Sequence, residues 1–186
     1  MVSRKSTLVP LAALAAMLVS TPAFADLPVG AKAPDFATQG ALAGKTFDVS
    51  LKKLLKQGPV VLYFYPKAFT KGCTLEAHAF AEATDDFKAA GATVIGMSND
   101  DVPTLQKFST EHCRDKFAVA SASPEVIKAY DVALKREGLP IGLANRTSYV
   151  IGKNGKIALA YSNMDFSDHV KLTLEAVRKM KAGKKV

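Results

Sequence analysis

Chemistry in this chain centres on the stretch YPKAFTKGCTLEAH, Tyr65 to His78, which holds Cys73, one of only two cysteines among 186 residues. After Cys73, apolar residues recur at Leu75, Ala77, Ala79, Phe80, Ala83 and Phe87, with Gly91 beyond them. That period predicts a helix from Cys73 to Ala90, stopped at the glycine. Cys73 then stands in a first helical turn, where free backbone N–H groups and the helix dipole favour negative charge. A thiol of ordinary pKa near 8.5 is only about 3% ionised at neutral pH, whereas one near 6 would be about 90% ionised. Attack by a thiolate needs more than its charge: the acceptor must be held in line, and donors must wait for the charge on the departing atom. The segment offers candidates. Thr70 can set a hydroxyl beside the thiol, Gly72 allows close approach, Pro66 removes an N–H and can cover the sulfur, and Glu76, one turn on, can accept from a guanidinium. Each also has an ordinary reading: Thr70 as an N-cap, Pro66 as a strand terminator, Glu76 as an acid that complements the dipole.

The elements that must position these groups can be read from pattern. Leu27 to Ser50, with Pro and Gly at short intervals, predicts an extended lead-in and a hairpin around Ala43-Gly44. Leu51 to Gln57 predicts a short helix. Pro59 to Tyr65, PVVLYFY, is a continuous run of β-branched and aromatic residues suited to a strand buried on both faces. Ala92 to Ser98 repeats that character. Pro103, after Asp100-Asp101, opens a helix that ends near His112 and Cys113. Phe117 to Ala120 is a short strand, and Ser123-Pro124-Glu125 starts a helix through Tyr130. Asn145 to Ile151 and Lys156 to Tyr161 form strands around Gly152-Lys153-Asn154-Gly155. An amphipathic helix from Asp168 to Lys181 follows, with Val170, Leu172, Leu174, Val177 and Met180 as its apolar positions. The order predicts one α/β domain: a mixed central sheet, parallel strands followed by an antiparallel pair, flanked by helices on both faces.

The first residues read as an address rather than structure. Arg4 and Lys5 precede an apolar run, Leu8 to Val19, and Ala23-Phe24-Ala25 is a small-x-small cleavage pattern. The run is shorter than the roughly 20 residues needed to span a bilayer. The expectation is a signal peptide over 1–25, cleavage after Ala25, an exported, periplasmic or secreted protein, and one domain over 26–186. The formal charge is +8, with lysines gathered near Lys52 to Lys56 and from Arg178 to Lys185. No aromatic residues interleave with them, so a solvated basic surface is expected, with no nucleic-acid or membrane partner. In an oxidising compartment the two cysteines could form a structural disulfide. Two cysteines in a chain this long are no disulfide scaffold, so their surroundings must assign their role.

Taken together, the residues around Cys73 resemble one family. PKAFTKGC, with Pro66, Thr70 and Cys73, is similar to the P-x-x-x-T/S-x-x-C motif of peroxiredoxins, and the flanks VVLYFYP and GCTLEA resemble the PrxQ-like, or bacterioferritin-comigratory, branch of the AhpC/TSA family. The resemblance extends to VGAKAPDF, VIGMSND and NRTSYVIGKNGKI, and so along nearly all of the chain after residue 25. It implies a thioredoxin-like fold carrying the N-terminal hairpin as an extension. It implies a thiol peroxidase, serving antioxidant defence, that reduces hydrogen peroxide and organic hydroperoxides without metal, haem or flavin. Cys73 is then the peroxidatic thiol, oxidised to sulfenic acid; Thr70 bonds the peroxide; Pro66 shields the thiol; Arg146, of NRTSYVI, favours the thiolate and binds the peroxide. The implied partners are a peroxide and a thiol reductant, either a thioredoxin-like protein or a small thiol, with the protein a monomer or weak homodimer.

One position departs from that branch. Many of its members carry a second, resolving cysteine five residues after the first, where this chain has His78. His78 lies about 140° around the helix from Cys73, and a half-exposed helix histidine is expected. Within the chain, resolution then falls to Cys113, and a Cys73–Cys113 bond would require the first turn at Cys73 to unwind. A one-cysteine mechanism with an external thiol is the alternative. A thiol-disulfide oxidoreductase of similar fold would carry C-x-x-C, and Cys73-Thr74-Leu75-Glu76 has no second thiol; a non-catalytic binding protein of the same fold is the third reading. The spacing of His78, His112 and the cysteines matches no zinc pattern.

Overall fold

A computed structural model describes residues 26–135, 138 and 142–186. The expected leader and cleavage site lie outside the described residues. The elements run β1 (Ala37–Leu42), β2 (Lys45–Ser50), α1 (Leu51–Gln57), β3 (Val60–Phe64), α2 (Lys71–Ala89), β4 (Thr93–Ser98), α3 (Val102–Glu111), β5 (Ala118–Ser121), α4 (Pro124–Ala129), β6 (Thr147–Ile151), β7 (Ile157–Ser162) and α5 (His169–Lys181). Every predicted element forms, with ends that differ by no more than two residues. The β1–β2 turn has Ala43 at φ 49° and Gly44 at φ 73°, the left-handed pair whose twist suits a two-residue hairpin.

The seven strands lie in the order β2-β1-β5-β4-β3-β6-β7. β3, β4 and β5 are parallel, while β6 runs antiparallel to β3 and β7 antiparallel to β6. The N-terminal hairpin is more than an appendage, because β1 pairs with β5 and so completes one side of the sheet. All five residues of β3 are buried, as a strand covered on both faces requires. Its alternation divides the core in two. Val61, Tyr63 and Tyr65 face α2, α3 and α5, meeting Phe80, Phe108 and Val177; Val60, Leu62 and Phe64 face α1 and α4, meeting Leu51 and Ile127. Tyr63 stacks on Phe80 with ring centroids 4.3 Å apart. Its partner in the β3–β4 register is Gly96, where a Cβ would come within 2.8 Å of the Tyr63 ring.

One pattern is corrected. On α5 the buried residues are His169, Thr173, Leu174, Ala176 and Val177, whereas Val170, Leu172 and Met180 are only partly covered. Two polar residues, His169 and Thr173, occupy the inner face. Apolar periodicity cannot report such positions, since it counts only hydrophobic side chains.

Candidate active site

β3 ends at Phe64 and α2 begins at Lys71; the loop between them carries Pro66 and Thr70. Half-buried Pro66 opens this loop. Asp100, just past β4, pins it: its Oδ2 accepts from the Ala68 N–H at 2.7 Å and from the Ser98 hydroxyl at 2.7 Å. Phe69, at φ 63°, holds a left-handed conformation unusual for a bulky residue, with its ring edge-on to Phe108 and His112. Thr70 is the N-cap of α2 by position, but its hydroxyl caps nothing; it donates to the Lys67 carbonyl at 2.9 Å.

The Thr74 N–H is tied back to the Thr70 carbonyl at 2.9 Å, which leaves the amides of Lys71, Gly72 and Cys73 without intrahelical partners. The first turn of α2 carries no acidic residue, so the positive end of its dipole is not neutralised from within the helix. Cys73 sits in that turn as a free thiol, 2% exposed. Arg146, one residue before β6, reaches it: Nη2 lies 3.5 Å from Sγ, Nη1 donates to Glu76 Oε2, and Nε donates to the Met164 carbonyl at 3.0 Å. Gly72 makes room, since a Cβ there would come within 3.1 Å of Nη2. Both members of the ion pair are buried, Arg146 at 3% and Glu76 at 0% exposure. Burial opposes the Arg146 charge, but Glu76 and Cys73 outweigh it and raise its pKa. Burial pushes the Glu76 carboxyl up to about 8 against the pull of Arg146. The guanidinium is therefore the permanent charge at the sulfur, and the carboxyl is the member of the pair that can take up a proton near neutrality.

Sequence reasoning named Cys73, Arg146, Glu76 and Gly72, and the structure brings these four together; Pro66 and Thr70 frame the loop before them. Three contributors were not foreseen. Asp100 fixes the loop, His169 lies with Nδ1 3.8 Å from Glu76 Oε1, and Ser148 bonds that same Nδ1 at 2.8 Å. A serine on an otherwise apolar strand and a histidine on the inner face of a helix were the available signals. The predicted half-exposed histidine, His78, is half-buried and pairs with His112 at 3.3 Å; burial, with Arg114 and His112, lowers its pKa. Cys113 follows α3 as a second free thiol with 0% exposure, and burial, then Asp115, drives its pKa well above the ordinary value. Among the described residues no group of three or more His, Cys, Asp or Glu side chains could hold a metal ion, and no helix is long and apolar enough to cross a membrane.

Known proteins resemble this chain in sequence and fold. The AhpC/TSA family model matches residues 29–160. Peroxiredoxin Q of the rice chloroplast (Oryza sativa subsp. japonica) is 35% identical over 165 residues, covering 81% of this chain and 73% of that protein. A Helicobacter pylori protein named as a bcp peroxiredoxin is 33% identical, covering 81% and 98%. Among solved structures, peroxidoxin BcpB from Mycobacterium tuberculosis superposes with a TM-score of 0.72 at 30% identity, over 82% of this chain and 97% of that one. Peroxiredoxin Q from Xanthomonas campestris does so with a TM-score of 0.67 at 25% identity, over 77% and 90%. By the family match over residues 29–160 and these relatives, the chain belongs to the AhpC/TSA family, and its fold is the thioredoxin-like fold of the peroxiredoxins.

Proposed function

We propose that this protein reduces hydrogen peroxide and organic hydroperoxides at Cys73. It is an enzyme, a thiol-dependent peroxidase, as its family and its relatives indicate. The observation that carries the residue assignment is the buried Arg146 fork, one arm on the Cys73 sulfur and the other on Glu76. The Cys73 thiolate attacks the terminal oxygen of ROOH. The O–O bond breaks, the sulfur becomes a sulfenic acid, and RO⁻ takes a proton from water to leave as ROH. Arg146 supplies preorganised positive charge to the oxygens as negative charge shifts to the leaving one. Thr70 contributes a hydroxyl from the loop once the peroxide competes for it with the Lys67 carbonyl, and Pro66 limits water at the sulfur.

In the second half-reaction the Cys113 thiolate attacks the Cys73 sulfur, an S–S bond forms as the S–O bond breaks, and the hydroxide leaves as water with the proton that the Cys113 thiol gave up. A thiol reductant, a thioredoxin-like protein or a small thiol, then returns both thiols and is itself oxidised to a disulfide. The one-cysteine route, with an external thiol attacking the sulfenic acid directly, is the second reading. The full burial of Cys113 favours it, because an unexposed, hard-to-ionise thiol resolves nothing until α2 or the end of α3 opens. The reading includes export after Ala25, supported by Arg4, Lys5, the Leu8 to Val19 run and Ala23-Phe24-Ala25, and a monomer or weak homodimer in solution.

Peroxide consumption with a thiol reductant tests it, using the wild-type protein, Cys73→Ser and Cys113→Ser. Turnover by wild type and none by Cys73→Ser is expected. Full activity of Cys73→Ser would overturn the assignment. Unchanged recycling in Cys113→Ser would select the one-cysteine route.

A further inference from the structure

His169 is fully buried yet lies outside the groups that touch the sulfur, and both of its ring nitrogens are engaged. Nε2 lies 2.9 Å from the Asn163 carbonyl and Nδ1 lies 2.8 Å from the Ser148 hydroxyl. A carbonyl only accepts, so Nε2 carries the proton, and Nδ1 accepts from Ser148. Burial and the nearby Arg146 charge lower the pKa of the ring, consistent with a neutral imidazole of fixed tautomer. It spans from β6, in the sheet, to the turn between β7 and α5.

That turn supplies the carbonyl that aims the arginine. Arg146 Nε donates to Met164 at 3.0 Å, and in a planar guanidinium the direction of Nε–H determines where Nη1 and Nη2 point. The Met164 side chain is 48% exposed. The turn is held instead by the Asn163 N–H on the Arg146 carbonyl at 3.1 Å, by Asn163 Oδ1 accepting from the Asp165 N–H at 2.9 Å, and by His169. Of these, His169 alone does so with a buried side chain, which bridges the Asn163 carbonyl to Ser148 within β6. An apolar side chain of similar size would fill the volume but strand the Asn163 carbonyl and the Ser148 hydroxyl.

We propose that His169 is a positioning residue for peroxide reduction: it fixes the Asn163–Met164 turn, whose carbonyl aims the Arg146 guanidinium at the Cys73 sulfur. This rests on the reading of Cys73 and Arg146 as the peroxide-reducing pair. It differs from a merely structural buried histidine in what each replacement does. In His169→Gln the amide nitrogen can reach the Asn163 carbonyl, as Nε2 does. In His169→Asn the side chain is too short for that carbonyl but can still meet Ser148.

The experiment compares wild type, His169→Gln, His169→Asn and Cys73→Ser, each checked for folding by thermal unfolding. Two readouts are taken: the rate of single-turnover oxidation by hydrogen peroxide, and the pH profile of Cys73 alkylation by iodoacetamide in a Cys113→Ala background. Oxidation in wild type that is absent in Cys73→Ser establishes the underlying reading; its absence in wild type defeats that reading alone. The alkylation profile still tests His169 in that case, because it needs no peroxide. The expected result is His169→Gln within about threefold of wild type in oxidation rate, and His169→Asn slower by about tenfold or more with its alkylation profile displaced to higher pH. Equal rates and superimposable profiles for the Asn and Gln variants would overturn the proposal. So would a loss in both variants that merely parallels their loss of thermal stability.

Discussion

The two cysteines are both buried free thiols of one apolar cluster, yet their polar surroundings differ. Around Cys73 stand free helix amides, a guanidinium and, behind it, a carboxyl, an imidazole and a serine, each held by a named partner. Cys113 belongs to the apolar core with Leu105, Phe108 and Phe117, and burial disfavours its ionised form. Its backbone neighbourhood is also different: the next two residues, Arg114 and Asp115, hold φ of 51° and 57°, a left-handed conformation that costs a non-glycine residue roughly 1 kcal/mol. Under the proposed function, Cys73 reacts where it sits and Cys113 must be released first, and the strained turn at Arg114 and Asp115 is where that release would begin.

Experiments can break this contrast or sharpen it. The largest effect should come from Arg146→Met, which keeps bulk but removes the fork; the peroxide reaction rate should fall by about 10²-fold or more, and a fall below tenfold would mean the charge is not aimed at the reaction. Cys113→Ser should leave that first step unchanged. Its buried hydroxyl should cost about 1–3 kcal/mol in urea unfolding, whereas a similar loss from Cys113→Ala would point to packing instead. Glu76→Gln should alter the pH dependence of stability. The folded carboxyl, at about 8, lies above its ordinary 4.5, so its contribution is fully present below pH 4.5 and is lost as pH rises through about 8. Stabilities of wild type and variant should diverge from pH 5 up to about 8, where the unfolded chain is ionised and the buried carboxyl is not, and run parallel above that; curves parallel throughout pH 5 to 8 would contradict this. Smallest is Arg114→Gly. Relief of the left-handed backbone is worth up to about 1 kcal/mol, while the exposed Arg114–Glu82 pair at 3.3 Å contributes a few tenths at most. A small net gain in stability and slower formation of a Cys73–Cys113 disulfide are expected; a net loss would show that the turn is not strained.

Much of this was written along the chain. The buried strand at Val60–Phe64, the helix after Cys73 and the Ala43-Gly44 hairpin all follow from local period and turn chemistry, which depend on neighbours a few residues apart. Arg146 was found only through family resemblance, because no spacing links residue 146 to residue 73. His169, Ser148 and Asp100 were hidden for a related reason. Each is a common surface residue type, and its role exists only once an element far away in sequence supplies a partner: Asn163 and the β6 hydroxyl for His169, Ala68 for Asp100. The pairing of His78 with His112, on successive helices, was equally invisible to a reading that placed His78 on its helix alone.

The antiparallel course of β6 beside β3 has a consequence for the order in which the site comes into being. Because the two strands run in opposite senses, the start of β6 lies beside the end of β3, and Arg146 arrives where the cysteine loop begins. A chain emerging from the ribosome presents Cys73 some seventy residues before Arg146, and the turn that aims the arginine comes later still. Until the C-terminal third has docked, Cys73 has its helix but not its guanidinium. Under the proposed function, a chain whose C-terminal third has not docked therefore lacks the guanidinium that its cysteine requires.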